Sequence, residues 1–147
     1  MTIKNMESFQ KKLDKYLNQN PSKNAKKAVG RGVMLVQGTA KDSITEGGKT
    51  GRVYPRKGED HIASAEGEAP ASDTGFLVAN ISMNVKTERD GSVVGQIISS
   101  AKYSYWLEFG HPARDGTFVE ARPFMQPALE KNKKKIINIF KQEGVIK

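Results

Sequence analysis

Two histidines are the first candidates for chemistry, because an imidazole can bind a metal or move a proton near neutral pH. His61 and His111 both lie in stretches that are typical of loops. A metal site would need a third ligand at a recognisable spacing, such as His-x-Glu or a second histidine four positions away. Neither spacing occurs, and only Glu59 and Asp60 directly precede His61. We therefore expect two surface histidines and no metal.

A carboxylate among apolar residues is the second candidate. Glu108 lies between Leu107 and Phe109, where a raised pKa could make it an acid. The alternative is a structural role, in which the carboxylate bonds a loop backbone or an arginine, Arg114 or Arg122. We favour the structural role, because no Gly-x-Ser-x-Gly elbow, Walker A loop or Gly-x-Gly-x-x-Gly loop is present. The sequence predicts no enzyme and no cofactor.

The elements that must position these groups begin with a helical part, residues 5–43. Apolar residues at three- and four-residue steps predict a helix over 5–18, with a stripe formed by Met6, Phe9, Leu13, Tyr16 and Leu17. Asn18 to Pro21 interrupts it. Ser22 is placed to be the N-cap of a second helix, which should end near Lys41 to Ser43.

A long loop is expected over 44–75, where Gly, Ser, Pro and charged residues dominate. Only Val53 and Tyr54 suggest a short strand, which Pro55 would stop. Loops of this length are uncommon inside compact domains and are usually functional or disordered. We therefore expect this loop to dock on a neighbouring subunit, and we rank the final helix second as a contact surface.

An antiparallel hairpin is predicted within 76–100. Asp73 or Thr74 would cap a short helical turn, after which apolar and polar residues alternate from Ile81 to Val85. Arg89-Asp90-Gly91 supplies the turn, and the return strand spans 93–99. Segment 103–110 is an aromatic cluster, 111–117 a loop, and 123–143 a helix with Pro123 in its first turn. The whole chain, 1–147, is thus expected to be one α+β domain with helices at both ends and a small sheet between them.

Charge is segregated along the chain. Its 147 residues carry a net charge of +8 and no cysteine, and no apolar run is long enough to cross a bilayer. The net charge is +9 over 1–57, −6 over 58–120 and +5 over 121–147, and complementary patches could fix how copies dock. A basic DNA-binding module is the alternative, since phosphate contacts suit the lysine run Lys131, Lys133, Lys134 and Lys135. No helix-turn-helix or RNA-binding motif accompanies that run.

Three segments, in order, resemble one family of phage proteins. Residues 61–81, HIASAEGEAPASDTGFLVANI, resemble a pattern of Arg/Ala-Ser, Gly-Glu-x-Pro-Ala and Asp-Thr-Gly-x-Leu that leads into a strand. AKYSYWLEFG at 101–110 resembles Tyr-Ala-x-Tyr-Leu-Glu-Phe-Gly, and ARPFMQPALE at 121–130 resembles Ala-Arg-Pro-Phe-Met-x-Pro-Ala. The set is similar to the neck and tail-completion proteins of tailed siphophages, of the type of gene product ten in a lambda-like phage. Ser104, usually Ala, and His111-Pro112, where a Thr is common, depart from the pattern only in loop detail.

The resemblance implies a structural virion protein that assembles in the host cytoplasm and forms a ring, by default a hexamer, at the head-proximal end of the tail. Its role would be tail completion and head–tail joining, with a tail terminator that controls tail length as an alternative. Expected partners are other copies of the chain, the connector or stopper, and the tail terminator or tail tube. Non-specific contact with DNA in the lumen is also expected, and membrane contact is not.

Candidate subunit contacts fall in the three segments: His61, Ser64, Glu68, Pro70, Asp73, Trp106, Glu108, Phe109 and Arg122. The four lysines named above are candidates for DNA or partner contact. Trp106 and Phe109 are either core anchors or interface residues, and we favour the core. Arg122 is expected to pair with Glu108 or Glu120, because a cation at a helix N-terminus needs an anion beside it. Gly67, Gly75 and Gly110 are expected at positive φ.

Overall fold

A computed structural model of the protein describes residues 21–147. The helix predicted over 5–18 lies outside the described residues. In chain order the described elements are α1 (Pro21–Thr45), β1 (Val53–Tyr54), β2 (His61–Ile62), α2 (Phe76–Ala79), β3 (Ile81–Thr87), β4 (Val93–Ser99), α3 (Ser104–Phe109), β5 (His111–Pro112), β6 (Phe118–Val119) and α4 (Met125–Gln142). The predicted α+β class is confirmed.

The β3–β4 hairpin packs one face against α1. The antiparallel hairpin predicted from the sequence is present, and its register pairs Ile81 with Ser99 and Thr87 with Val93. Gly95 makes the close approach to α1 possible, because a Cβ built there would lie 2.2 Å from Val33 Cγ2 and 2.6 Å from Val29 Cγ1. The absence of a side chain at Gly95 therefore allows this part of β4 to lie close to Val29 and Val33 of α1.

The last helix, α4, runs antiparallel to α1. At one end the Glu143 carboxylate accepts from Arg31 Nη1 at 2.5 Å and lies 3.0 Å from Lys27 Nζ. Nearer the other end Asn132, only 1% exposed, donates from Nδ2 to Thr39 Oγ1 and to the Ala128 carbonyl, both at 2.8 Å. These two hydrogen bonds use both donors of the buried NH2 group, so α4 can bury this group without the cost of leaving it unpaired.

A single core joins these elements. It contains Val36, Ala40 and Ile44 from α1 together with Leu77, Ile81, Ala101, Phe124 and Ala128. Phe124, Ile44 and Ile81 are the largest fully buried apolar side chains among the described residues, at 1–2% exposure. The core thus lies where α1, the start of the hairpin and the start of α4 meet.

Two element boundaries differ from those predicted, and one suggested strand is present. Ser22 lies inside α1, which is already helical at Pro21, so its assignment as an N-cap is wrong. Pro123 precedes α4, whose N-cap is Phe124, because Glu108 rather than a local residue supplies the cap described below. In the 44–75 loop the strand at Val53–Tyr54 is present, and it pairs with His61–Ile62, which two residues of sequence could not indicate.

Candidate subunit-docking surface

One cleft gathers five of the nine predicted contact residues. His61, Ser64, Pro70, Asp73 and Arg122 line a depression of about 340 Å³ between the 61–75 segment and α3. The left-handed conformation of Gly75, at φ 75°, turns the chain into α2 at the edge of this cleft. The motifs that resemble the phage family therefore meet in space, although they are separated in sequence. The remaining four, Glu68, Trp106, Glu108 and Phe109, lie outside its lining.

Arg122 joins the cleft to α3 through backbone carbonyls. Its Nε donates to the Ser64 carbonyl at 3.3 Å and its Nη1 to the Glu120 carbonyl at 3.3 Å. Its own backbone N–H donates to the Leu107 carbonyl at 2.6 Å. The expected ion pair with the carboxylate of Glu108 or Glu120 is wrong, since Glu108 is engaged elsewhere and Glu120 is used through its backbone. Arg122 holds the loop, α3 and the approach to α4 together.

Two acidic side chains fix the long loop. Glu68 accepts from the Thr50 hydroxyl, from Thr50 N–H at 3.1 Å and from Ala65 N–H at 2.9 Å. The Thr50 hydroxyl, followed by these backbone N–H groups, holds the pKa of Glu68 below its ordinary value. Asp73 forms a two-pronged ion pair with Arg56, with Nη2 to Oδ2 at 2.9 Å, and that hydrogen-bonded arginine lowers the Asp73 pKa. The loop is therefore held in a defined shape by its own side chains.

The lowered pKa of Glu68 predicts a pH-dependent stability difference. Because the folded state favours the ionised carboxylate, Glu68 stabilises the fold fully above its unfolded pKa, near 4.5, and this contribution is lost as pH falls through the lower folded value. Glu68→Gln should therefore lower Tm at about pH 7 and show a smaller deficit at about pH 3. Thermal unfolding by circular dichroism measures both. Glu66→Gln, at an exposed position, is the control and should leave Tm unchanged at either pH, whereas a Glu68→Gln deficit that is equal at both would contradict the assignment.

Glu108 caps the last helix from a distance. Its Oε2 accepts from the backbone N–H of Phe124 at 2.9 Å and of Met125 at 3.1 Å, and its Oε1 accepts from Gln126 N–H at 2.9 Å. These N–H groups have no partner within the helix, and a negative charge is favoured where they converge. The structural role preferred from the sequence agrees with this arrangement.

Exposed aromatic rings form a second feature, which we call the aromatic patch: Tyr105, Trp106, Phe109 and Phe118. Each is between 54% and 66% exposed. The Tyr105 and Phe109 rings lie 4.9 Å apart, and the Trp106 ring lies 5.6 Å from that of His111. The preferred assignment of Trp106 and Phe109 to the core is wrong: α3 has only six residues, and aromatic side chains project on more sides of it than can face the core.

The four lysines lie exposed on α4, away from the core. Lys133 pairs with Glu130 at 2.6 Å, and both side chains are more than half exposed, so the pair adds little stability. Within residues 21–147, no hydrogen bond or ion pair joins these lysines to the cleft or to the aromatic patch. They remain a solvated basic face along one side of α4.

Within residues 21–147, no three His, Cys, Asp or Glu side chains are grouped in a way that could hold a metal ion. Over the same residues, no helix combines the length and the apolar character that crossing a membrane requires.

Comparison with known proteins gives one match. A family described as "Bacteriophage HK97-gp10, putative tail-component" matches residues 7–110, more than half of the chain. The matched range holds α1, the long loop, the hairpin and α3, and it ends before Arg122 and α4. Neither curated proteins nor solved structures gave a match.

Proposed function

The chain belongs to the HK97 gp10-like family of bacteriophage tail components, and we propose that it forms a ring at the head-proximal end of the tail, where it acts in tail completion and head–tail joining. Family membership supports the coarser part of this statement, a structural role in the phage tail and a place in the virion. The ring, its location at the neck and its joining role are the finer parts that we add.

The aromatic patch is the main observation that supports ring formation. Large aromatic side chains are typical anchors of protein interfaces, where they fill pockets on the partner. Four of them more than half exposed on α3 and β6 indicate a surface that is covered in the assembled state. A closed ring with head-to-tail contacts uses two different surfaces of each subunit. The patch would be one of these surfaces, and the cleft, with its preformed loop, would be the other.

The shape of the cleft supports the same proposal. Arg56 and Asp73 hold the loop from one side and Arg122 holds Ser64 from the other, so the cleft does not need to be ordered by a partner. A preformed surface binds more tightly than one that loses conformational entropy on binding. This favours a docking role for the 61–75 segment, with Pro70 buried at its base.

Trp106→Ala is expected to weaken ring assembly. Removing a central interface aromatic commonly costs about 2 kcal/mol, which corresponds to roughly a thirtyfold higher dissociation constant per contact. Sedimentation velocity over a range of protein concentrations measures the shift from rings to single subunits. Met34→Ala is the control, because Met34 is 60% exposed but lies on α1, outside both surfaces. If the Trp106→Ala protein assembled to the same extent as the natural protein, the aromatic patch would not be part of the contact between subunits.

The role in the virion is tested by electron microscopy of particles from a host in which this gene carries a nonsense mutation. Filled heads beside separate tails of normal length are expected. Abnormally long tail tubes would instead indicate a tail terminator. Intact infectious virions would overturn the structural role. The alternative would then be a DNA-binding module that uses the lysines from Lys131 to Lys135. Binding of DNA by the purified protein would test that alternative.

A further inference from the structure

An apolar groove of about 390 Å³ runs along α1 between β4 and α4. Val29, Val33 and Val36 of α1 form its floor. Gly95 and Ile97 of β4 form one wall, and the other wall consists of α4 residues: Met125, Leu129, Ile136 and Phe140. Gln126 is the one polar residue in this lining. The groove shares no lining residue with the cleft and none of the four aromatic residues lines it, and the proposed function does not use it.

Two glycines lie at closely packed edges of the groove. Gly95 lies directly against Val29 and Val33, and a Cβ built at Gly32 would lie 3.6 Å from Ile136 Cγ2. Leu129, on the outer wall, is left 46% exposed. Residues 21–147 supply no side chain that covers this apolar strip.

The groove has the length and the chemistry of an amphipathic helix. Residues 5–18 carry an apolar stripe at helical spacing, with Phe9 and Leu13 at its centre, and fourteen helical residues span about 21 Å. The α4 wall of the groove, from Met125 to Phe140, spans about 22 Å by the same rise per residue. A chain that reverses direction between Asn18 and Pro21 would lay the stripe along the groove. We propose that residues 5–18 of the same chain occupy this groove.

The same chain is favoured over a partner because of the connection. The segment joins α1 directly at Pro21, and a short tether gives an effective concentration in the millimolar range, above that of a free partner. Lys11 and Lys15 lie on the side of the predicted helix opposite the stripe, so docking needs no charge pairing. It is therefore expected to be insensitive to salt.

Photo-crosslinking tests the occupant directly. A benzophenone amino acid at position 9, on the stripe, should crosslink within one chain to groove residues when the full-length protein is irradiated and the products are mapped by mass spectrometry. The same probe at position 11, on the opposite side, is the matched control and should give several-fold less product. Crosslinks from position 9 to the groove of a second chain would overturn the proposal in favour of exchange between copies. Equal yields from both positions would overturn docking altogether.

A pair of groove variants separates docking from folding defects. Leu129→Lys places a charge on the groove wall, whereas Ile137→Lys places the same charge on the same helix at a similar exposure, 49%, outside the lining. Leu129→Lys should lower the crosslink yield from position 9 several-fold, and Ile137→Lys should not. An unchanged yield in Leu129→Lys would contradict the proposal. Because the readout is intramolecular, it is independent of whether rings form.

Discussion

Glu108→Ala is expected to lower the free energy of unfolding by about 3 kcal/mol, since it leaves three backbone N–H groups at the start of α4 without their acceptor. Hydrogen bonds to a charged acceptor are stronger than neutral ones, although contributions that share one carboxylate do not simply add. The substitution also removes the only side chain described as linking α3 to the backbone of Phe124, Met125 and Gln126. Phe124 is a fully buried core residue, so loosening this turn disturbs the core.

Chemical denaturation of Glu108→Ala, followed by far-ultraviolet circular dichroism, measures this loss. Glu120→Ala makes the same change in charge nearby, but the exposed Glu120 is used only through its backbone carbonyl. It should cost less than about 0.5 kcal/mol, as surface substitutions usually do. If both variants unfold at the same denaturant concentration, the carboxylate of Glu108 does not stabilise α4.

Gly95→Ala is expected to destabilise the fold by about 2 kcal/mol, because one added methyl group overpacks the contact between β4 and α1. The new Cβ would fall 2.2 Å from Val33 Cγ2 and 2.6 Å from Val29 Cγ1. These methyl groups belong to β-branched side chains with few alternative rotamers in a helix, so the strand or the helix must shift instead. In an open strand the same substitution would be neutral or favourable, since glycine is a poor strand former.

Gly38→Ala is the matched substitution with the opposite expected sign. A Cβ at Gly38 meets nothing within 4 Å, and alanine is favoured over glycine inside a helix by roughly 0.5–1 kcal/mol. Equilibrium unfolding of both variants therefore compares the same added methyl group at a packed and at an open position. A Gly95→Ala variant as stable as Gly38→Ala would show that the hairpin does not lie against α1 at this distance.

Elements long enough to show a regular spacing of apolar residues could be predicted from the sequence, and shorter elements could not. The hairpin was predicted because apolar and polar residues alternate from Ile81 to Lys86 and a turn signal follows, and the structure pairs the two strands from Ile81↔Ser99 to Thr87↔Val93. The β5–β6 pair has two residues per strand, too few to show a period. The aromatic run 103–110 hid the six-residue helix α3, because closely spaced aromatic residues hide the three- and four-residue steps.

The candidate site, too, could be predicted only in part. The three motifs indicated the residues that meet in the cleft, but a motif states residue types and not partners. Arg122 was expected to find a carboxylate, and it binds carbonyls instead because Glu108 is held 16 positions further along by Phe124 N–H. Asn132 was not recognised as facing inward, since its only signal is its place four residues after Ala128 on the apolar side of α4. Trp106 and Phe109 were placed in the core on side-chain type alone, which does not distinguish a core from an interface.

The pairing of α1 with α4 sets the order in which the protein can fold during its own synthesis. Arg31 and Glu143 are 112 positions apart, and Thr39 and Asn132 are 93 apart, so α1 leaves the ribosome long before its partner helix exists. The core can close only when Phe124 and Ala128 have emerged. Until then, among the described elements, the β3–β4 hairpin is the main cover for the apolar side of α1. Non-local contacts of this kind slow folding and leave the nascent chain exposed to aggregation. A stop codon ahead of α4 would therefore be expected to yield an insoluble chain rather than a shortened native one.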